Sequence, residues 1–163
     1  MRATAQVLAA TSALLMAVSL VTACGGDSGA STSAVGASGV PDPCELLSVT
    51  DTIEPIVGFD PGTSQMTTED PDVRKVCLYA AGLFFEVEVA ANYEQSVSAV
   101  KDPATGATTQ ELTGVGDAAI LASYGEGINQ VVALAGDYYI GVTGVVSPEQ
   151  ATDLATALVD AIS

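Results

Sequence analysis

The chain has 163 residues, with 20 Asp and Glu against 4 Lys and Arg, no histidine, and a net charge of −16. Such a surface repels polyanions, because nucleic-acid binding rests on Lys and Arg neutralising phosphates, so nucleic acid is excluded as a partner. Without histidine, Ser-His-Asp and Cys-His catalysis and His-containing zinc sites are excluded as well.

The chain opens on a targeting pattern. Arg2 is followed by an almost wholly apolar run from Val7 to Leu20, the signature of a secretory signal. Leu20-Val21-Thr22-Ala23-Cys24 resembles the bacterial lipobox, with an aliphatic residue at −3, a small residue at −1, and then the cysteine that receives diacylglycerol. The sequence therefore predicts a signal peptide over 1–23 and lipidation at Cys24. Ordinary secretion and a single span are the alternatives. A span needs about 20 apolar residues, more than this run offers, and Cys24-Gly25-Gly26-Asp27 carries no basic flank. Two or three acyl chains give stable attachment where one is marginal.

Cys24 and the Gly/Ser-rich stretch to residue 41 read as a flexible tether, spanning on the order of 20–25 Å. That is well beyond the Debye length of about 8 Å. Once Arg2 leaves with the signal, 3 cations face 20 acidic residues, a net charge of −17. The expected membrane contact is therefore the lipid and not the protein face, which anionic headgroups repel. The expected localisation is the extracytoplasmic face of the cell membrane.

Residues 42–163 form one domain of ordinary size. Asp42 is a good N-cap, Pro43 suits the first helical position, and Glu45 would complete a capping box. Leu46, Leu47, Ile53, Ile56 and Val57 can share one apolar face, with the polar stretch 48–52 and Pro55 dividing the helix and Gly58 ending it. Residues 60–72 read as an acidic loop containing Pro and Gly.

Strands follow. Val76 to Tyr79 and Leu83 to Ala90 predict a hairpin about Ala80-Ala81-Gly82. Phe85, Val87 and Val89 alternate with Phe84, Glu86 and Glu88, so one face is buried and the other largely wet. Asn92 to Val100 reads as a short helix capped by Asn92. Strands over 118–123, 128–135 and 138–145, joined at Gly125-Glu126-Gly127 and Gly136-Asp137, predict an antiparallel meander. These three are apolar on both faces, which implies cover on both sides or an exposed concave face. The last helix is capped by Ser147, Pro148 and Gln150, and Ala151, Leu154, Ala155, Leu158 and Ile162 form its buried stripe. The fold class is α+β: a single domain with an antiparallel sheet and flanking helices.

With Cys24 lipidated, Cys44 and Cys77 remain. Export to an oxidising compartment favours a disulfide between them, closing a loop of 77 − 44 = 33 residues. Two buried thiols or redox chemistry are the alternatives, although no Cys-x-x-Cys is present.

Asp42-Pro43-Cys44-Glu45-Leu46-Leu47, Cys77-Leu78-Tyr79 and Gly114-Val115-Gly116-Asp117-Ala118-Ala119 together resemble an actinobacterial family of small exported lipoproteins whose function is uncharacterised. The resemblance covers roughly residues 41–163 and rests on short motifs. Tyr79 stands where that family often has Trp. It implies a cysteine pair and an antiparallel sheet with flanking helices, and supplies no catalytic residue.

Other chemistry is weaker. Residues 114–119, with Asp137 about 20 positions on, fit a loose dinucleotide pattern, but a polar segment precedes them and a strand follows, so no cofactor is expected. Glu69-Asp70-Pro71-Asp72 offers oxygen ligands without the alternating loop of a calcium site, so no metal is expected. No spacing singles out a catalytic carboxylate pair. Tyr79, Tyr93, Tyr124, Tyr138 and Tyr139 belong to core packing before a pocket. The functional expectation is a lipid-anchored, non-enzymatic binding or interaction module of the cell envelope, whose partner is an envelope protein or small ligand. A carrier of apolar molecules and a carboxylate-dependent hydrolase are the alternatives.

Overall fold

The computed structural model describes residues 39–163. The signal peptide expected over 1–23, the lipidated Cys24 and the tether up to residue 38 lie outside the described residues. Among the described residues, no helix is long and apolar enough to cross a membrane.

The N-terminal helical stretch is divided, as Pro55 and the polar 48–52 run require. Helix α1 spans Pro43–Leu46, a π-helical turn spans Val49–Ile53, and helix α2 spans Glu54–Val57. The Asp42 carboxylate accepts from the Cys44 amide at 2.8 Å, so it caps α1 one residue earlier than a box with Glu45 would need. Gly58 ends α2 in the left-handed conformation, φ 79°, where a residue without Cβ carries no steric cost.

Seven strands form one antiparallel sheet in the order β1-β2-β3-β7-β6-β5-β4. They are β1 Ser64–Asp70, β2 Arg74–Tyr79, β3 Phe84–Val89, β4 Thr108–Leu112, β5 Ala118–Ser123, β6 Ile128–Ala135 and β7 Tyr138–Val145. The loop expected over 60–72 contains strand β1, and the polar segment before Gly114 is strand β4. Both are sheet edges, and β4 is exposed along nearly its whole length. Neither shows the apolar alternation that marks a half-buried strand. Both carry what blunts an edge: charges, and in β1 a register shift between Thr67 and Asp70.

Alternation along the strands creates two unequal faces. One presents Cys77, Tyr79, Phe85, Val131, Ala133, Ile140 and Val142 to the main core. Helix α4, Pro148–Ile162, covers β5, β6 and β7 there, while α1 covers β1, β2 and β3. The capping box of α4 forms as expected: Ser147 Oγ accepts from Gln150 N, and Gln150 Oε1 accepts from Ser147 N. Gln150 Nε2 also donates to the carbonyls of Ile56 and Val57, tying α4 to the end of α2. Val159 is buried with the expected stripe, whereas Ile162 packs at its margin.

The Cys44–Cys77 disulfide joins α1 to β2, with the Cα atoms 5.1 Å apart. Thus the N-terminal helices are fastened covalently to the sheet they cover. The chain reaches them at Val40, which is buried and whose carbonyl accepts from Lys75 Nζ at 2.6 Å.

The opposite face is covered only in part. Helix α3, Tyr93–Val100, packs Tyr93, Val97 and Val100 on Ile120, Ala122, Val132, Leu134 and Tyr139. Asn92 does not cap it. A 3₁₀ turn over Ala90–Asn92 leads into the helix, and the Asn92 amide donates to Glu88. The apolar faces of β5 and β6 are therefore covered on both sides, one of the two outcomes their sequence allows. The β1-β2-β3 half of this face has no helix over it.

Candidate functional site

The half-covered face carries side chains in rows across the sheet. One row is Asp70, Arg74, Glu88 and Tyr139, read across β1, β2, β3 and β7. The next is Thr67, Val76, Glu86 and Gly141, and the third is Gln65, Leu78, Phe84 and Thr143. Successive rows lie two residues apart along a strand, about 6.6 Å. Polarity falls along β3, from a charged row through a mixed one to a neutral, partly apolar one.

The polar end is closed by a hydrogen-bonded network. Arg74 Nε is paired with Glu86 Oε1, and the Tyr139 hydroxyl donates to Glu86 Oε2 at 3.2 Å. Tyr139 is only 3% exposed. Burial, then the Glu86 charge, pushes its phenol well above the usual tyrosine value, while the Ser96 hydroxyl acts in the opposite sense. The network therefore holds Tyr139 as a neutral donor. Gln95, Ser96 and Ala99 of α3 wall this end of the groove, about 280 Å³ in volume.

The depression continues past Arg74 and Glu86 over Val76, Gly141 and Thr143 to Phe84, and from there over Thr67 and Thr68 of β1. Phe84 is 41% exposed. Three shallow depressions that share lining residues thus make one groove along β3, polar beside α3 and apolar at Phe84.

The residues singled out from the sequence fall elsewhere. Cys44 and Cys77 are bonded to each other beneath the covered face, where Tyr79 stacks edge-on against Phe85 at 5.3 Å. Residues 114–119 form a clasp. Gly116 has φ 58° and a Cβ there would sit 2.2 Å from the Leu134 carbonyl oxygen. Asp117 N donates to that same oxygen at 2.7 Å. Gly136 N in turn donates to Asp117 Oδ2 at 2.9 Å. The segment thus locks the β4–β5 connection onto the β6–β7 turn. Another depression, of about 390 Å³, lies over this clasp, but the Asp117 carboxylate beside it is already used by the turn.

Asp70-Pro71-Asp72 is the β1–β2 turn, in which Asp72 N donates to Asp70 Oδ1 at 3.1 Å. Among the described residues, no three Cys, Asp or Glu side chains converge to hold a metal ion. Tyr79, Tyr93 and Tyr139 are buried, and Tyr124 donates to Gln130 at 2.9 Å. Sequence reasoning missed the groove. The one available signal was Glu86 and Glu88 on the wet side of β3, which alternation alone assigns to solvent.

Comparison with protein families, with curated proteins and with solved structures finds no match.

Proposed function

We propose that the protein is an exported, lipid-anchored binding module of the cell envelope, which presents the uncovered β1-β2-β3 face to its partner. The observation that carries this reading is the unequal cover of the sheet. Helices α1, α2 and α4 cover one face, while α3 covers only half of the other. Phe84 is left in the open beside an ordered Arg74–Glu86–Tyr139 network. Aromatic residues and Arg are enriched at recognition surfaces, and this face sets one of each side by side.

The groove carboxylates Glu86 and Glu88 each accept from neighbouring side chains of the fold. Glu86 gives one oxygen to Arg74 and the other to Tyr139, and Glu88 accepts from Asn92. This is a set of held acceptors, unlike an acid–base pair spaced around a substrate bond. The anchor is supported by the lipobox-like residues before Cys24 and by the Gly/Ser-rich stretch after it.

Two measurements test the reading. Mass spectrometry of the mature N-terminus should find an acylated Cys24, and Cys24→Ala should leave the precursor uncleaved or release the protein. Affinity capture from envelope extract should then enrich a discrete partner, while a broad hydrolase screen stays silent. Turnover abolished by one Asp or Glu substitution in a folded protein would overturn the non-enzymatic reading.

A further inference from the structure

Resting on the binding reading above, we infer that the groove along β3 receives an extended segment of a partner protein, with a basic side chain at the Glu88 end and an apolar one at Phe84. The first support is shape. The groove is open on one side and runs across three rows of the sheet. A small ligand is held by a concavity that buries about 70–90% of its surface, and a shelf does not do that. A polypeptide needs only one of its sides covered.

The second support is charge. All three cations of residues 39–163 are already engaged within the fold: Arg74 with Glu86, Lys75 with the Val40 carbonyl, and Lys101 with Glu111. The Asp70-Arg74-Glu88 row holds two carboxylates to one guanidinium, so a basic side chain placed there meets excess negative charge. The field of an acidic domain steers cations toward it.

The third support is spacing. Glu88 and Phe84 stand four residues apart on β3 and on the same face, about 13 Å at the rise of an extended strand. An extended peptide lying along β3 matches both ends when its basic and apolar side chains are also four residues apart. At that interval both side chains point to the same side of the peptide.

The test uses the full mature protein in nonionic detergent. The probe is a fluorescein-labelled heptapeptide with arginine second, leucine sixth and threonine elsewhere. The control places the same arginine and leucine side by side. Saturable binding is expected for the first peptide, with affinity falling about tenfold for Phe84→Ser and for Glu88→Gln, the loss typical of a central interface contact. Asp153→Asn, an exposed position on α4 beneath the opposite face, should leave affinity unchanged, and amide spectra should confirm that each variant is folded. Equal weakening by Asp153→Asn and Glu88→Gln would reduce the effect to net charge and overturn the proposal. So would equal affinity for the control peptide, or no saturable binding. If the peptide fails while a partner is still captured from envelope extract, the groove assignment falls and the binding-module reading stands.

Discussion

Gly141 stands directly opposite Glu86 across the β3–β7 ladder, and its missing side chain makes the space in which the Tyr139 hydroxyl meets the Glu86 carboxylate. A Cβ at position 141 would lie 3.0 Å from both Tyr139 Oη and Glu86 Oε2. The network at the head of the groove therefore depends on a residue that takes no part in it. Gly141→Ala should destabilise the fold by about 1–3 kcal/mol, the usual cost of overpacking. It should also displace the Tyr139 ring. Urea unfolding checks the first effect and the tyrosine amide and ring resonances the second. An unchanged midpoint would mean the three groups are not in close contact.

The clasp at residues 114–119 gives a second prediction. Gly116→Ala meets a backbone carbonyl that cannot swing away, in a left-handed conformation that costs other residues about 1–2 kcal/mol. Its total cost should be about 2 kcal/mol or more. Asp117→Ala should cost about 0.5–1.5 kcal/mol, the net worth of an exposed hydrogen bond to the Gly136 amide that water can replace, and Asp117→Asn less, since an amide oxygen still accepts. Denaturation midpoints for the three variants should fall in that order. A neutral Gly116→Ala would contradict the close approach to Leu134.

Reduction should cost the mature protein about 3–4 kcal/mol, the loop-closure entropy released when a 33-residue cross-link opens. Unfolding with and without reductant measures it, and non-reducing peptide mapping should recover Cys44 linked to Cys77. Two free thiols in purified protein would refute the pairing.

What the sequence made legible followed burial. Strands β5 and β6 begin and end where their apolar runs do, because both of their faces are covered. Helix α4 announces itself through Ser147, Pro148 and Gln150 and through its apolar stripe. Strands β1 and β4 were invisible for the opposite reason: at a sheet edge, Thr108, Thr109 and Gln110 face water and carry no alternation. Asn92 misled because its side chain was needed by Glu88. The groove was illegible since it depends on which half of a face α3 leaves bare, a fact of placement that no local pattern records.

Alkaline titration gives a further prediction. Burial raises the Tyr139 phenol above its unfolded value near 10. Between the unfolded value and the folded one, the native state holds a proton that the unfolded state has lost, so stability falls as pH rises. The contribution is fully present below about pH 10 and is lost above it. Tyr79, Tyr93 and Tyr124 are raised in the same direction, chiefly by burial. Tyr139→Phe should therefore lower stability at neutral pH yet flatten the decline above pH 10. Urea midpoints from pH 8 to 11 would show it. An unaltered alkaline slope would mean that Tyr139 is not shielded from solvent.

If the partner sits on the uncovered half of the sheet, site-specific photocrosslinking from that half will trap it. A photoreactive phenylalanine analogue is placed at Phe84 in the groove or, as the control, at Asp153 on the far side of α4. Each protein is expressed in its own envelope and illuminated there. A discrete adduct from position 84, absent from position 153 and lost when Glu88→Gln is added, is the predicted result. An adduct from position 153 and none from position 84, or none from either, would contradict it.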